Sequence, residues 1–502
     1  MMAFGFGFGE NTPGEGREGR RRRSSAPRHR RHTELLSRKP LVVRLIEKRE
    51  DRHRAHQHPT PMMRSGSRGA SCLLHHPSGT TPSSLGTPPR RATTHSGHRM
   101  QARCFAVRHH TRRESEWRGQ MGPPEYTPRR IIKDNVFADF ASLVGNTPLV
   151  RLNTASLISG CQIYGKCEYA NPGGSVKDRP AVYIIRDGEE RGLLGKTVGV
   201  DTVVEGSAGN TAIGLALMGF TRLYKTVCVI PNTQSPQKKD LLRQLGVQLV
   251  EVPPQKVWHP NHFVKLSGRL AERIGGFWAN QFDNVANRRA HYETTGPEIW
   301  EQMEGRVDAF VSSVGTGGTL AGVGMYLKEK NPRVKICLAD VPGAVLHRYY
   351  TTGEARAEGS SITENIGQGR VTANLEGFRP DFSFEIPDYE SVPMAFQLLE
   401  AEGLPMGFSS GVNVAAAIRL AEKLGPNKRI ATVLCDTGFR YANKQYNPEF
   451  LSAKDIPYPE WLDQHPDPQM EEKLQEAQAT QEQIDEAIAM NAHKSTSPDS
   501  KV

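Results

Sequence analysis

Short apolar runs alternate with amphipathic stretches from about Ile131 to about residue 455. Each apolar run is long enough for one buried β-strand, and the stretches between them carry apolar residues at helical spacing. We predict strands over 198–204, 226–230, 247–252, 307–312, 334–339 and 430–435, and helices over 238–245, 264–274, 320–330, 389–402 and 412–424. Regular alternation of strands and helices predicts an α/β fold built on parallel sheets.

The two flanks of the chain lack this pattern. Residues 1–120 are rich in Arg, His, Ser, Pro and Gly, which predicts a disordered basic arm. An Arg-rich and Ser-rich start is typical of an organelle transit sequence, but Glu10 and Glu15 precede the first Arg. A plain disordered extension, or a start codon assigned too early, explains the same composition. Beyond residue 455 we predict a polar helix over 469–491 and a disordered end within the tail 456–502.

The charge of the chain is unevenly distributed. The net charge is +11, but residues 1–120 hold 25 Arg and Lys against 9 Asp and Glu, which leaves 40 basic and 45 acidic residues in 121–502. The basic character therefore belongs to the arm, and the rest of the chain gives no reason to expect nucleic acid as a partner. A nucleic-acid-binding function would depend on the arm alone.

The cysteines and the apolar runs exclude further classes of protein. Seven cysteines are scattered without a C-x-x-C pair, which argues against a disulfide framework and a cysteine-based zinc site, and favours a reducing compartment. We expect no metal. No apolar run approaches the roughly 20 residues that a membrane-spanning helix needs.

The first motif with chemical potential is the sequence NPGGSVKDR from Asn171 to Arg179. Pro172 and the two glycines after it predict a tight turn, and a helix begins near Lys177. An amine beside a turn in a partly desolvated site can form a Schiff base with an aldehyde cofactor. The alternative is a lysine on a solvated helix face, and the turn alone does not exclude it.

Two glycine-containing loops follow predicted strands. In the segment 203–211, free N–H groups at a helix start, with Ser207, Asn210 and Thr211, suit a carboxylate; simple helix capping explains the same residues. In the segment GTGGT from Gly315 to Thr319, the glycines let a phosphate approach the backbone and the threonines offer hydroxyl groups. No Gly-Lys-Ser/Thr follows, so this segment is not a P-loop.

The fourth motif, from Leu434 to Gly438, ends another predicted strand. Ligands bind at the carboxyl edge of parallel sheets, so Asp436 or Thr437 could meet a heterocyclic nitrogen. A helix cap or a turn is the alternative. Together, the four motifs supply a lysine, an anion loop, a phosphate cup and a nitrogen partner. This is the set needed to hold pyridoxal phosphate (PLP) and an amino acid.

These motifs carry a clear resemblance. With Gly145–Leu152 (GNTPLVRL) and Ser361–Arg370 (SITENIGQGR), they follow the order of the cysteine synthase/cystathionine β-synthase family, the fold-type II PLP enzymes. The likeness extends to Tyr441 and is strongest to the fungal cysteine synthases described as mitochondrial, whose loop also reads Glu-Gly-x-Ala-Gly-Asn. It implies two three-layer αβα domains with the cofactor between them, within residues 121–455: a smaller domain of about 149–285 and a larger one of 130–148 plus 286–450.

The resemblance also implies roles for individual residues. Lys177 matches the Schiff-base lysine and general base, Asn210 the residue at the 3′-oxygen, and Thr437 the hydroxyl at the pyridine nitrogen. The phosphate cup corresponds to Gly315, Thr316, Gly317, Gly318 and Thr319, and the substrate sites to Ser207, Ala208, Thr211, Gln281 and Gly367. Ala208 lacks a hydroxyl that many family members have, and a lost hydrogen bond to a charged group costs about 1.5–3 kcal/mol.

The activity implied is that of a cysteine synthase of the O-acetylserine (thiol)-lyase type, which makes L-cysteine and acetate from O-acetyl-L-serine and sulfide. We expect a homodimer in the mitochondrion, or otherwise in the cytoplasm. Three alternatives stay open: a cystathionine β-synthase, a serine or threonine dehydratase, and a PLP-binding protein without synthase activity. The acyl donor (O-acetylserine, O-phosphoserine or serine) and the nucleophile also stay open.

Overall fold

The computed structural model describes residues 131–133, 136–463 and 468–495. The basic arm predicted over 1–120 lies outside the described residues. The disordered end predicted for the tail lies outside them from residue 496 onward. Within the described part, no helix is both long and apolar enough to cross a membrane.

The described strands are, in chain order, β1 (Ile131–Lys133), β2 (Val136–Phe137), β3 (Leu149–Arg151), β4 (Gln162–Cys167), β5 (Thr202–Gly206), β6 (Lys225–Pro231), β7 (Gln248–Val252), β8 (Phe277–Trp278), β9 (Ala309–Ser313), β10 (Lys335–Asp340), β11 (Phe382–Glu385) and β12 (Arg429–Leu434). All six predicted strands are present, and each lies within four residues of its predicted bounds. β1 and β2 pair with each other in antiparallel register.

The described helices are α1 (Phe140–Leu143), α2 (Asn153–Ser159), α3 (Asp178–Glu190), α4 (Asn210–Arg222), α5 (Pro236–Gln244), α6 (Phe263–Ile274), α7 (Ala286–Ala290), α8 (Gly296–Gln302), α9 (Gly318–Lys330), α10 (Leu346–Thr352), α11 (Asp388–Glu402), α12 (Phe408–Leu424), α13 (Ala442–Gln445), α14 (Pro448–Ser452), α15 (Pro468–Ala477) and α16 (Gln481–Ser495). A π-helical turn, His291–Thr295, joins α7 to α8. The single tail helix predicted over 469–491 is instead two helices, α15 and α16, separated at residues 478–480.

Two sheets organise the part of the chain from β3 to β12. The larger sheet has the strand order β11-β10-β9-β12-β4-β3, and the smaller has the order β7-β6-β5-β8. The smaller sheet is parallel throughout, and the larger is parallel except for β3, which runs antiparallel to β4. The predicted α/β class is therefore confirmed.

The predicted start of the smaller domain at residue 149 is wrong. β3 and β4 carry the chain through the larger sheet, where β4 pairs with β12, before the chain enters the smaller sheet at β5. The cause is a long-range pairing: β4 finds its partner more than 260 residues later, at Arg429–Leu434. The lysine turn, which follows β4, consequently belongs to the larger sheet's side.

Helices cover both faces of the larger sheet, as alternation of side chains along its strands requires. Val311 and Cys337 point into a core that contains residues of α11 and α12. Their neighbours Phe310 and Ile336 point to the opposite face and pack with residues of α8 and α9. This three-layer arrangement leaves the carboxyl ends of β9 and β12 as the edge from which loops can reach a ligand.

Candidate active site

A tight turn after β4 presents Lys177. Gly174 has a φ of +76°, a left-handed conformation that favours glycine, and its N–H donates to the Asn171 carbonyl at 2.7 Å. The Gly173 N–H donates to the Asp178 carboxylate at 2.5 Å, and a side chain at Gly173 would collide with that carboxylate. The turn and the first residue of α3 thus fix each other, and Lys177 lies between them.

Lys177 lies in a pocket between the two sheets. The pocket is lined by Val176, Lys177, Asn210, Ser312, Ser313, Gly315, Thr316, Gly317, Thr319, Asn365, Ile366, Ser409, Cys435 and Asp436. Burial lowers the pKa of the Lys177 amine, while Cys435 and Asp436 act in the opposite direction. A lowered pKa increases the fraction of neutral amine, which is the nucleophilic and basic form.

The segment from Gly315 to Thr319 forms the wall of the pocket at the carboxyl end of β9. Gly317 has a φ of +92° and precedes the first residue of α9, so the chain turns sharply into the helix. A side chain at Gly315 would collide with the Asn365 carbonyl oxygen. The backbone N–H groups at this helix start, together with the hydroxyls of Thr316 and Thr319, make a site suited to an anion.

Asp436 holds Asn210 in the pocket. It is 1% exposed, and its Oδ2 accepts hydrogen bonds from Asn210 Nδ2 at 2.6 Å and from the Tyr441 hydroxyl. Arg440 donates to Asn210 Oδ1 and to the Gly173 carbonyl. Asn210 therefore has both ends of its amide fixed. Asp436 Oδ1 has no hydrogen-bond partner within the described residues.

The loop after β5 lies beside this network and is fixed by Gln281. Thr211 donates to Gln281 Oε1 at 2.6 Å, and Gln281 Nε2 donates to Glu205 at 3.0 Å and to the Gly206 carbonyl at 3.3 Å. Burial raises the pKa of Glu205 to about 7, against the hydrogen bonds from Gln281. Ser207 and Thr211 are buried, and Ala208 is half-buried.

The segment Ser361–Arg370 lies over the pocket and is held at both ends. Glu364 pairs with Lys238 and, at 2.7 Å, with Lys444, and Arg370 pairs with Asp283 at 2.6 Å. Between these pairs Gly367 has a φ of +87°, and its N–H donates to the carbonyl of Val314. The loop therefore contacts α5, which belongs to the part of the chain around the smaller sheet, through Lys238. It also contacts the residue that follows β9, through the Val314 carbonyl.

The structure brings most of the predicted site residues together. Lys177, Asn210, Gly315, Thr316, Gly317 and Thr319 line one pocket. Gly318 lies behind the cup, where a side chain would collide with Asn287. Ser207, Ala208, Thr211, Gln281 and Gly367 are adjacent to the pocket without lining it.

Thr437, like Gly318, is a predicted cofactor residue outside the pocket lining. It does not line the pocket; it is half-buried, and its backbone pairs with Met406. The neighbouring Asp436 lines the pocket instead, together with Ser409 at the start of α12. The role of Thr437 at the ring nitrogen stays a prediction, and Asp436 and Ser409 are further candidates for it. The sequence motif predicts Asp436 as an alternative to Thr437 but does not predict Ser409. The only sequence signal for Ser409 is a Ser-Ser pair in the first turn of a helix.

Comparisons with known proteins agree with this geometry. The family model described as "Pyridoxal-phosphate dependent enzyme" matches residues 141–436. The chain is 50% identical to Cysteine synthase 1 of Neurospora crassa over 340 residues, which cover 66% of this chain and 90% of that protein.

Two solved structures resemble the fold. The O-acetylserine dependent cystathionine beta-synthase from Helicobacter pylori has a TM-score of 0.56 at 31% identity, covering 62% of this chain and 98% of that chain. O-ureido-L-serine synthase has a TM-score of 0.57 at 31% identity, covering 65% of this chain and 99% of that chain.

Proposed function

The chain belongs to the pyridoxal-phosphate dependent enzyme family, and we propose that it is a cysteine synthase of the O-acetylserine (thiol)-lyase type. The reaction is replacement of the acetoxy group on the β-carbon of O-acetyl-L-serine by sulfide, which releases L-cysteine and acetate. The observation that carries the proposal is the convergence of Lys177, Asn210 and the anion-binding cup on one pocket. The 50% identity to Cysteine synthase 1 of Neurospora crassa over 340 residues supports the assignment of the substrate class.

The residues present fit the cofactor. Lys177 offers an amine with a lowered pKa for the aldehyde, and the cup offers N–H and hydroxyl donors for the phosphate. Asn210 would contact the ring oxygen, and Asp436 fixes its amide. Besides the predicted Thr437, two groups that line the pocket could meet the ring nitrogen: the Ser409 hydroxyl and Asp436 Oδ1, which has no hydrogen-bond partner within the described residues.

When bound, PLP supplies an electron sink that stabilises negative charge at the substrate Cα. Lys177 Nζ then has two tasks: it holds the cofactor, and once released it takes the Cα proton and returns it. Because burial lowers the pKa of Lys177, a larger fraction of the amine is in its basic form at a given pH, and we expect activity to fall as the pH decreases and the amine becomes protonated.

The α-carboxylate of the substrate would bind at the loop after β5. Its donors are the N–H groups that open α4 and the hydroxyl of Ser207, because the Thr211 hydroxyl already donates to Gln281. Gln281 fixes Thr211 from behind. The loop Ser361–Arg370 would cover the substrate and restrict water, since its residues Asn365 and Ile366 already line the pocket.

The nucleophile is the point at which a second candidate is supported. The structural relative from Helicobacter pylori is described as an O-acetylserine dependent cystathionine beta-synthase, so a protein of similar fold combines dependence on O-acetylserine with the cystathionine beta-synthase activity. Competition between sulfide and homocysteine for the O-acetylserine-treated enzyme separates the two functions. Preferential formation of cysteine supports the synthase, and preferential formation of cystathionine supports the alternative.

The decisive experiment records the visible absorption of the cofactor in purified protein beginning near residue 121 and in the full chain. Addition of O-acetylserine should shift the absorption band, and sulfide should restore it as cysteine appears. O-phosphoserine and serine are the matched donors and should act more weakly. Lys177→Ala should abolish turnover. A cofactor band that ignores O-acetylserine would contradict the proposal.

We also propose a homodimer located in the mitochondrion, on the likeness to the fungal enzymes and the basic arm. Light scattering on the full chain tests the first part. A fusion of residues 1–120 to a fluorescent protein tests the second, since a cytoplasmic signal would assign the arm another role.

A further inference from the structure

The helix behind the phosphate cup carries two polar side chains that no part of the proposed mechanism uses. Asn287 and His291 are four residues apart, in α7 and in the π-helical turn that continues it. Asn287 is 0% exposed and His291 is 1% exposed. A separation of four residues places both on the same helix face.

Two glycines of α9 let this face approach the cup. A side chain at Gly318 would collide with Asn287 Oδ1, and one at Gly322 would lie 2.5 Å from the Arg288 carbonyl oxygen. Gly318 and Gly322 are also four residues apart, so they form a matching depression on the partner helix. The close approach puts Asn287 beside Thr316, and His291 beside Thr319.

The polarity of the Asn287 bond follows from its second partner. Asn287 Nδ2 donates to the Gln281 carbonyl oxygen at 2.8 Å and to Thr316 Oγ1 at 2.8 Å. A carbonyl oxygen only accepts, so the amide nitrogen must face it, and the amide cannot be turned around. Thr316 therefore accepts from Asn287, and its own hydroxyl proton is left for the pocket.

The same reasoning applies to His291. Its Nδ1 lies 2.9 Å from Thr295 Oγ1, and its Nε2 lies 3.1 Å from Thr319 Oγ1. Burial lowers the pKa of His291 well below its usual value, and Arg179 and Lys177 act in the same direction, so the ring is neutral and carries one N–H. Within the described residues, the Thr295 hydroxyl has no hydrogen-bond partner other than His291 Nδ1, so it donates its proton there. Nδ1 is then the acceptor of the neutral ring, and the ring proton lies on Nε2 and is donated to Thr319.

We propose that Asn287 and His291 are positioning residues for the phosphate of the cofactor: each donates a hydrogen bond to a cup threonine, so that both hydroxyl protons point into the pocket. A phosphate dianion only accepts hydrogen bonds. The threonine hydroxyls, with their protons directed into the pocket, are therefore already oriented to donate to the phosphate before the cofactor binds. The proposal rests on family membership and not on the identity of the substrate.

The test compares two ligands that differ only in the phosphate. The dissociation constants of PLP and of pyridoxal are measured by absorption on the full chain stripped of cofactor. His291→Phe keeps a ring in place but removes the donor to Thr319. It should weaken PLP binding about tenfold or more and leave pyridoxal binding unchanged, since Thr319 is no longer held as a donor to the charged phosphate and a hydrogen bond to a charged group is worth about that factor. Tyr292→Phe is the control and should change neither, because Tyr292 is half-buried in the same turn and its hydroxyl donates to Glu329 and not to the cup.

A double-mutant cycle shows whether His291 acts through Thr319. In a Thr319→Val background, His291→Phe should have almost no further effect on PLP binding. Asn287→Ala with Thr316→Val forms the parallel cycle. Equal weakening of PLP and pyridoxal, or fully additive effects in both cycles, would show that these residues only support the fold and would overturn the proposal.

A milder variant covers the case in which His291→Phe does not fold. Thr295→Val removes the group that fixes the ring proton on Nε2 but leaves His291 in place. Like His291→Phe, it should lower the ratio of PLP affinity to pyridoxal affinity, but by a smaller factor. An unchanged preference in folded Thr295→Val protein would contradict the assigned direction of the hydrogen bonds. Because every readout is cofactor binding, failure here is distinguishable from failure of the proposed cysteine synthase reaction.

Discussion

Replacement of Arg179 by methionine should destabilise the protein by about 3 to 5 kcal/mol, because it leaves buried carboxylates without their main partner. Arg179 is 2% exposed and lies two residues after Lys177. It donates to both oxygens of Glu168 at 2.7 and 2.8 Å, and to both oxygens of Glu298 at 2.9 and 2.8 Å. One side chain thus joins the end of β4, the start of α3 and α8.

The remaining contacts of each carboxylate limit the size of the loss. After the substitution Glu298 keeps Lys166 at 2.7 Å, and Glu168 keeps hydrogen bonds from Thr147 and Asn171 at 2.7 and 3.0 Å. Neither carboxylate becomes wholly unpaired, so the loss should not exceed the range for breaking a buried ion pair. Methionine matches the length of the aliphatic stem, so the cost of a cavity stays small.

The assay is urea unfolding of the holoenzyme at several pH values, followed by far-UV circular dichroism and by tryptophan fluorescence. Arg179 and Lys166 outweigh burial and hold the pKa of Glu298 below its usual value, and removal of Arg179 should raise it. The freed Glu298 carboxylate can then be neutralised by protonation, so the difference in unfolding free energy between wild type and variant should be largest near pH 8 and should narrow as the pH falls.

The matched control is Arg419→Met. Arg419 also pairs through two nitrogens with one carboxylate, that of Glu390, but its side chain is 34% exposed, so the substitution should cost about 1 kcal/mol or less. A loss below about 1 kcal/mol for Arg179→Met, or a loss equal to that of the control, would refute the assignment of Arg179 as the buried tie between these elements.

Three further predictions concern the site. Burial raises the pKa of Glu205 to about 7 from 4.5, so wild-type stability should fall by up to about 3 kcal/mol as the pH rises between these values, and Glu205→Gln should lack this contribution in urea unfolding. Asp436→Asn removes the charged acceptor of Asn210 and should weaken PLP binding about tenfold in an absorption titration, whereas unchanged binding would show that Asn210 needs no such anchor. Ala208→Ser adds a donor to the carboxylate loop and should lower KM for O-acetylserine several-fold, by about 1 kcal/mol, with kcat nearly unchanged; a change in kcat alone would place that loop elsewhere in the reaction.

The local pattern of the chain determined the elements and the candidate chemistry. Apolar runs at strand length predicted six strands, and helical spacing predicted the helices that follow them, because both periods arise from local backbone geometry. Glycine positions such as Gly174 and Gly317 also have local causes, since each has a positive φ. The turn that precedes Lys177 and the cup from Gly315 to Thr319 can therefore be predicted from the sequence without knowledge of tertiary contacts.

Only the tertiary structure decided how these elements meet. β4 joined the larger sheet because its partner β12 lies far along the chain, and Asp436 reached Asn210 across 226 residues. Adjacent residues at a strand end face different surroundings, so the position of Asp436 in the pocket lining, and of Thr437 outside it, depended on where the lysine turn and α12 packed. Asn287 and His291 belong to no motif, since their position behind the cup comes from the close packing of α9. Local sequence sets which backbone conformations are available. Contacts between distant segments decide which residue of a turn faces the pocket and which group pairs with a buried polar side chain.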